Sequence, residues 1–150
     1  MNDHTFGPGV FSRNHLPYLR RAHAKRVLFR SQKRWAGARE LLDKRGHASI
    51  YFTPVGGDGR VHYAGRLVAV ELDPTPATLE RLRNELKARD VTTGKEGLWS
   101  GTCRTVYVVE IEQLQEPFPM TELEKLSGEG ALSAEYGYAY SLVRRMGEAA

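Results

Sequence analysis

The longest β signal in the chain most constrains its fold. It runs from Arg60 to Leu72 and reads RVHYAGRLVAVEL, with apolar residues on both faces at its far end and a mixed near end. Gly65 stands in its middle, where a bulge or a sharp coil of the strand is expected. Small barrels need such corners to close. The segment therefore predicts a long, bent strand in a small barrel.

The rest of the chain alternates strand and helix signals around this segment. Apolar runs predict strands at 27–29, 49–53, 105–114 and 136–143. Helical spacing predicts helices over 32–45, from Pro76 to near Asp90, and briefly from Thr121 to Gly128, with Ser31, Thr75 and Thr121 as caps. The predicted fold is α+β, a small, partly closed β-barrel with flanking helices.

The domain organisation follows from length and from the N-terminal composition. A chain of 150 residues fits one domain. Residues 1–25 carry Gly7, Pro8, Gly9 and Pro17 without a clear period, so they are interpreted as an irregular basic arm that includes at most a short helical turn. The barrel domain is then predicted over 26–145.

Positive charge is concentrated in the first third of the chain. Residues 1–47 hold eleven Lys or Arg against three acids, a net of +8, and residues 48–150 hold eleven against fifteen, a net of −4. Such a block favours a polyanion, either nucleic acid or an anionic membrane surface. A solvated basic face is the other interpretation, and charge alone does not separate them.

The sequence also predicts a compartment. No stretch approaches the ~20 apolar residues of a membrane span, and the N-terminus lacks the apolar core of a secretory signal. The single cysteine, Cys103, excludes an intramolecular disulfide and a multi-cysteine zinc site. We expect a cytoplasmic protein without a membrane partner.

Catalytic motifs do not appear in the sequence. It has no P-loop, no glycine fingerprint opening a helix, no HExxH and no GxSxG, and its histidines lack metal-ligand spacing. The glycines of 56–59 sit in a hairpin without a following helix to hold phosphate. We expect no metal and no cofactor, and nothing in the sequence argues for an enzyme.

Aromatic residues among basic ones are the remaining signal. Nucleobases stack on aromatic faces for about 1–3 kcal/mol each, while Lys and Arg hold phosphates. Trp35 follows Lys33 and Arg34 at the start of a predicted helix, and Trp99 lies between glycines in a predicted loop. For both rings a binding role and a core role are equally open.

In the order of these features the chain resembles the EVE domain, a member of the PUA-like superfamily, over about residues 27–143. VLFRSQKRW looks like that family's opening strand, polar turn and helix-start tryptophan. GHASIYF and RVHYAGRLVAVEL look like its barrel strands, and TVYVVEIEQLQEPFPMTEL like a later strand leading into a proline-bounded helix. The resemblance implies a barrel that takes a single, often modified, base of RNA or DNA out of its stack into a pocket at the barrel mouth.

The resemblance also implies which residues do this. Ser31, Gln32 and Trp35 would form one wall of the pocket, with Trp35 as the stacking platform, and Tyr51 and Arg66 would lie near its mouth. Arg30, Lys33 and Arg34 would grip the flanking phosphates. The basic arm and the helix around 79–86 depart from the family pattern, and either could alter the pocket.

Two rival interpretations belong to other classes. An ASCH-like hydrolase acting on RNA or a modified nucleoside would need a tyrosine or lysine and a carboxylate that converge, and Tyr63, Arg66 and Glu110 are the nearest candidates. Alternatively, the N-terminal arm docks on an acidic protein partner. The sequence does not determine the oligomeric state.

Overall fold

The computed structural model describes residues 7–90, 103–133 and 140–146. These residues form one eight-stranded sheet and three α-helices. The strands are β1 Gly9–Asn14, β2 Arg26–Ser31, β3 Ala48–Pro54, β4 Arg60–Leu72, β5 Arg89–Asp90, β6 Thr105–Pro119, β7 Leu123–Lys125 and β8 Tyr140–Arg145. The helices are α1 Leu16–Ala22, α2 Ala36–Arg45 and α3 Pro76–Glu85.

The sheet is mixed and has the strand order β5-β2-β6-β4-β3-β1-β8-β7. The pairs β1–β3 and β2–β5 are parallel, and the other neighbours are antiparallel. Within the described ranges the end strands β5 and β7 do not pair with each other, so the sheet is open. The α+β class predicted from the sequence is confirmed.

The long strands β4 and β6 pair at the centre of the sheet. A β-carbon at Gly65 would lie 2.0 Å from the Glu110 carbonyl oxygen of β6, so only glycine permits this approach. The expected irregularity lies beside the glycine, because the register shifts between Val61 and Tyr63 and again between Leu67 and Ala69. The second shift keeps Val70 on the same face as Leu67.

Alternation along the strands divides the core between two faces of the sheet. Ile50 and Phe52 of β3 pack in one cluster with Trp35, while Tyr51 between them packs in another with Phe11 and Val61. We call these the Phe52 face and the Tyr51 face. Helices α1 and α2 contribute apolar residues to the Phe52 face, and α3 packs on β2 and β6 through a third cluster.

The N-terminal arm predicted for residues 1–25 is wrong over the part that the structure describes. Strand β1 lies inside the sheet, paired along its whole length with β3 and over Gly9–Ser12 with β8. The short helical turn is confirmed as α1. A β-carbon at Gly9 would lie 1.9 Å from the Ser49 carbonyl oxygen, so this glycine permits a close strand approach and does not mark a loop.

Other local predictions are partly confirmed. Thr75 caps α3 in a capping box with Thr78, and Gly46 ends α2 with a φ of 75°. However, Ser31 ends β2, and α2 begins at Ala36. Strand β6 runs through Pro117 to Pro119, and a short 3-10 turn followed by β7 replaces the helix predicted after Thr121.

Candidate nucleic-acid site

Trp35 lies between β2 and α2, and its side chain is buried. Its residue is 1% exposed. The indole stacks on Tyr107 of β6 with centroids 3.9 Å apart and an interplanar angle of 21°, and Tyr140 of β8 lies 5.0 Å away at 33°. The structure therefore does not provide the open stacking face that the sequence led us to expect, because two tyrosines contact the indole.

These ring contacts also show that the sheet curls. Three strands separate β6 from β8 in the strand order, so a flat sheet would hold them roughly 19 Å apart at the usual strand spacing. Yet one indole contacts a tyrosine from each. The Phe52 face must therefore be strongly concave around Trp35.

Hydrogen bonds fix the chain around the indole. The Trp35 backbone N–H donates to Thr105 Oγ1 at 2.9 Å, and the Thr105 hydroxyl donates to the Lys33 carbonyl oxygen at 2.7 Å. The Ala38 N–H donates to the Tyr140 hydroxyl at 2.9 Å. The segment entering α2 is thereby attached to both β6 and β8.

The Trp35 indole N–H has no hydrogen-bond acceptor in the part of the chain that the structure describes, although its Nε1 atom is buried. Leaving a buried donor unpaired costs about 1–3 kcal/mol, and buried polar groups are nearly always paired. An unpaired donor inside an aromatic cluster would be satisfied by an oxygen or nitrogen acceptor of a bound molecule.

Tyr107 adds a second polar group to this cluster. Burial raises the pKa of Tyr107 far above its usual value, and hydrogen bonding with the side chains of Ser12 and Asn14 opposes that rise only in part. The phenol is therefore neutral at physiological pH. Ser12 and Asn14 belong to β1, which is why interpreting this segment as an arm missed them.

Of the polar and basic residues predicted to contact a ligand beside Trp35, some already bind other groups of the protein. The Ser31 hydroxyl accepts a hydrogen bond from the Lys33 N–H at 3.1 Å, and Gln32 is exposed. The Lys33 Nζ atom lies 5.6 Å from the Tyr140 ring centroid, so a cation stands beside the cluster. Arg34 pairs with Asp73 at 3.0 Å, and Arg30 is half-buried.

Two predicted site residues lie on the other face of the sheet. Tyr51 is fully buried on the Tyr51 face and donates a hydrogen bond to the Gly7 carbonyl oxygen at 2.6 Å. Arg66 neighbours Leu67, so it also points to the Tyr51 face, where it pairs with Glu110. The sheet separates both from Trp35. Trp99 lies outside the described residues.

The candidate residues of the hydrolase interpretation are likewise divided. Tyr63 is buried on the Phe52 face, whereas Arg66 and Glu110 meet on the Tyr51 face. Burial raises the pKa of Glu110, but hydrogen bonds from Arg66 and Arg26 outweigh it and hold that pKa below its usual value. The three residues do not form one site.

The described ranges also lack two other kinds of feature. They contain no group of three or more His, Cys, Asp or Glu residues placed to hold a metal ion. No helix in them has both the length and the apolar character required to cross a membrane.

Comparison with known proteins gives no relative. No protein-family model matches the chain, and no curated protein and no solved structure matches it.

Proposed function

We propose that this chain is a nucleic-acid-binding module of the PUA-like type that takes a single nucleobase into the concave face beside Trp35. The observation that carries the proposal is the buried indole N–H without an acceptor, set between two tyrosine rings with a lysine nearby. A nucleobase has an aromatic face that can stack on the rings, and it has carbonyl and ring-nitrogen atoms that can accept the indole N–H.

Tyr140 is the ring that a base would replace. Its side chain is only partly buried, and it lies at the first residue of β8, whereas Tyr107 is packed inside β6. The indole and Tyr140 are tilted by 33°, so this contact is a poorer stack than the one with Tyr107. A base that displaces Tyr140 would stack on Trp35 and accept its N–H.

The curled mixed sheet supports the PUA-like part of the proposal. A concave face built from β6, β4, β3, β1 and β8, with helices α1 and α2 contributing to its core, is consistent with the partly closed barrel that we propose. Trp35 contacts the two outer strands of this five-stranded face, β6 through Tyr107 and β8 through Tyr140. A ligand pocket is commonly found at such a barrel mouth.

The test is a binding titration of labelled single-stranded RNA and DNA oligonucleotides, with and without methylated bases, at low and moderate salt. We expect saturable binding that weakens with salt. Trp35→Phe keeps an aromatic ring and removes the N–H, and it should weaken binding about tenfold, or roughly 1.4 kcal/mol. Tyr63→Phe, a buried tyrosine of the same face outside the Trp35 ring cluster, is the matched control and should bind normally.

Two outcomes count against the proposal. If no oligonucleotide binds at about 50 mM salt, where phosphate contacts are strong, the chain is not a nucleic-acid-binding module. If binding is normal in Trp35→Phe, nucleic acid binds somewhere other than the indole.

A further inference from the structure

Five lysine and arginine side chains at one end of β2 form no ion pair in the described ranges, unlike most of the other described cations. They are exposed, and in the described ranges none has a carboxylate partner: Arg20, Arg21, Lys25, Lys87 and Arg89. Most of the other described arginines are in ion pairs: Arg26, Arg34, Arg39, Arg66, Arg81, Arg104, Arg144 and Arg145. We call the five the β2-start surface.

One half of this surface comes from α1 and the turn after it. Arg20 and Arg21 occupy the last turn of α1, and the Lys25 N–H donates to the Ala22 carbonyl oxygen at 3.1 Å. This turn holds Lys25 close to the helix end. The next residue, Arg26, begins β2.

The other half comes from the chain between α3 and β5. Arg26 Nη1 donates to the Leu86 carbonyl oxygen at 3.1 Å, which places Lys87 beside the start of β2. Arg89 pairs with Val27 in the parallel β2–β5 ladder. Both halves therefore meet at the same strand end, although more than sixty residues separate them in the sequence.

Nearby acids do not neutralise this surface. Arg26 and Arg66 both bind Glu110, so that carboxylate is already engaged. Glu85 at the end of α3 and Glu112 of β6 lie on adjoining described elements, and neither forms an ion pair with any of the five cations. The excess of positive charge predicts attraction for a polyanion.

The surrounding side chains favour nucleic acid over a membrane. A helix that lies in a membrane interface inserts an apolar face, but the apolar residues Leu19 and Ala22 of α1 are buried in the core. The exposed large apolar residues of the described chain are Val55, Leu126 and Met146, none of which belongs to this surface. Three of the five cations are arginines, whose planar guanidinium groups bind phosphate with two parallel hydrogen bonds.

We infer that the β2-start surface binds the sugar-phosphate backbone of a polynucleotide without regard to sequence, at a site separate from the indole. The inference rests on the proposed function for the identity of the partner. Trp35 follows the opposite end of β2, and the six residues of that strand span roughly 20 Å. A stacked strand covers this distance in about six nucleotides at 3.4 Å each. The length of β2 is therefore within the span of about six stacked nucleotides.

The experiment measures the dependence of binding on salt for a single-stranded oligonucleotide of about twenty residues. The triple variant Arg20→Gln, Arg21→Gln, Lys25→Gln removes three cations from the surface. Because the slope of log K against log salt is about −0.7 per phosphate neutralised, the variant should be shallower by about 2. Its affinity at about 50 mM salt should fall at least tenfold, with the preference among bases unchanged.

A second triple variant provides the matched control. Lys44→Gln, Arg45→Gln, Arg60→Gln removes the same charge from exposed positions outside the β2-start surface and should keep the wild-type slope. Circular dichroism and thermal unfolding verify that both variants are folded.

The possible results separate the two proposals. If the wild-type protein binds the oligonucleotide and the surface variant has the same salt slope as the control variant, the inference is overturned and the proposed function stands. If Trp35→Phe binds normally and the surface variant has a shallower slope, the base-binding role of Trp35 is overturned and the β2-start surface stands. If the wild-type protein binds phosphatidylserine vesicles and the surface variant does not, while both bind the oligonucleotide equally, the surface binds a membrane and the inference is wrong.

Discussion

Replacing Gly65 by alanine tests the close contact between the two central strands. The added carbon would lie 2.0 Å from the Glu110 carbonyl oxygen and 2.8 Å from the Ile111 Cα atom. Carbon–oxygen contacts between neighbouring strands are normally no closer than about 3.3 Å, so β4 and β6 would have to separate locally by roughly 1.3 Å. Both neighbours are backbone atoms inside a paired strand and cannot rotate away.

The cost follows from the hydrogen bonds that this separation would break. Losing about two ladder hydrogen bonds, and leaving their buried groups unpaired, costs roughly 4 kcal/mol. In urea, with a slope of about 2 kcal/mol per molar, the unfolding midpoint should fall by about 2 M. Equilibrium unfolding followed by far-UV circular dichroism measures this directly.

Gly46→Ala is the control for the general effect of replacing a glycine. Gly46 has a φ of 75°, but no atom lies within 4 Å of an added β-carbon. Only the left-handed backbone opposes alanine there, at a cost of about 1 kcal/mol. If Gly65→Ala is no less stable than Gly46→Ala, the described contact between β4 and β6 is incorrect.

Three further predictions concern stability. Burial raises the pKa of Tyr107 from 10.0, so above about pH 10 the folded chain keeps the phenol proton that the unfolded chain loses. The free energy of unfolding should therefore be constant up to about pH 10 and then fall by about 1.4 kcal/mol per pH unit. A fall as steep in Tyr107→Phe would contradict this. Glu110→Gln should cost at most about 1 kcal/mol in urea unfolding at pH 7, because the side chains of its ion pairs with Arg26 and Arg66 are 33% to 42% exposed. The difference in unfolding free energy between the wild type and Glu110→Gln should shrink below the usual carboxyl pKa, because the wild-type carboxylate stops stabilising the fold as the pH falls through its lowered pKa. An equal difference at pH 3 would show that the charge is not responsible. Deleting residues 1–14 should abolish cooperative unfolding, because it removes β1 from between β3 and β8, whereas a dispensable arm would leave the unfolding curve unchanged.

The sequence predicted best those elements whose signals are local. The alternation over Arg60–Leu72 and the cap at Thr75 identified β4 and the start of α3. Their physical causes, side-chain period and a side-chain cap, lie within a few residues. Strand β1 was missed because its stability comes from pairing with β3 and β8, which lie far along the chain.

The candidate site shows the same division. The segment from Ser31 to Trp35 was recognised because its polar and aromatic residues are adjacent in sequence. That Tyr107 and Tyr140 meet on one indole depends on how strongly the sheet curls, and residue patterns carry no information on that curvature. Likewise, the surface that starts at α1 and ends at Arg89 exists only because β5 pairs with β2.

The indole N–H resonance of Trp35 tests the central claim most directly. In a Trp99→Phe background, Trp35 supplies the single indole signal in an ¹H–¹⁵N spectrum. When a binding oligonucleotide is added, we expect this proton to move downfield, because the unpaired donor gains an acceptor, and its exchange with solvent to slow. If the oligonucleotide saturates the protein while the signal keeps its position and exchange rate, no nucleobase reaches Trp35.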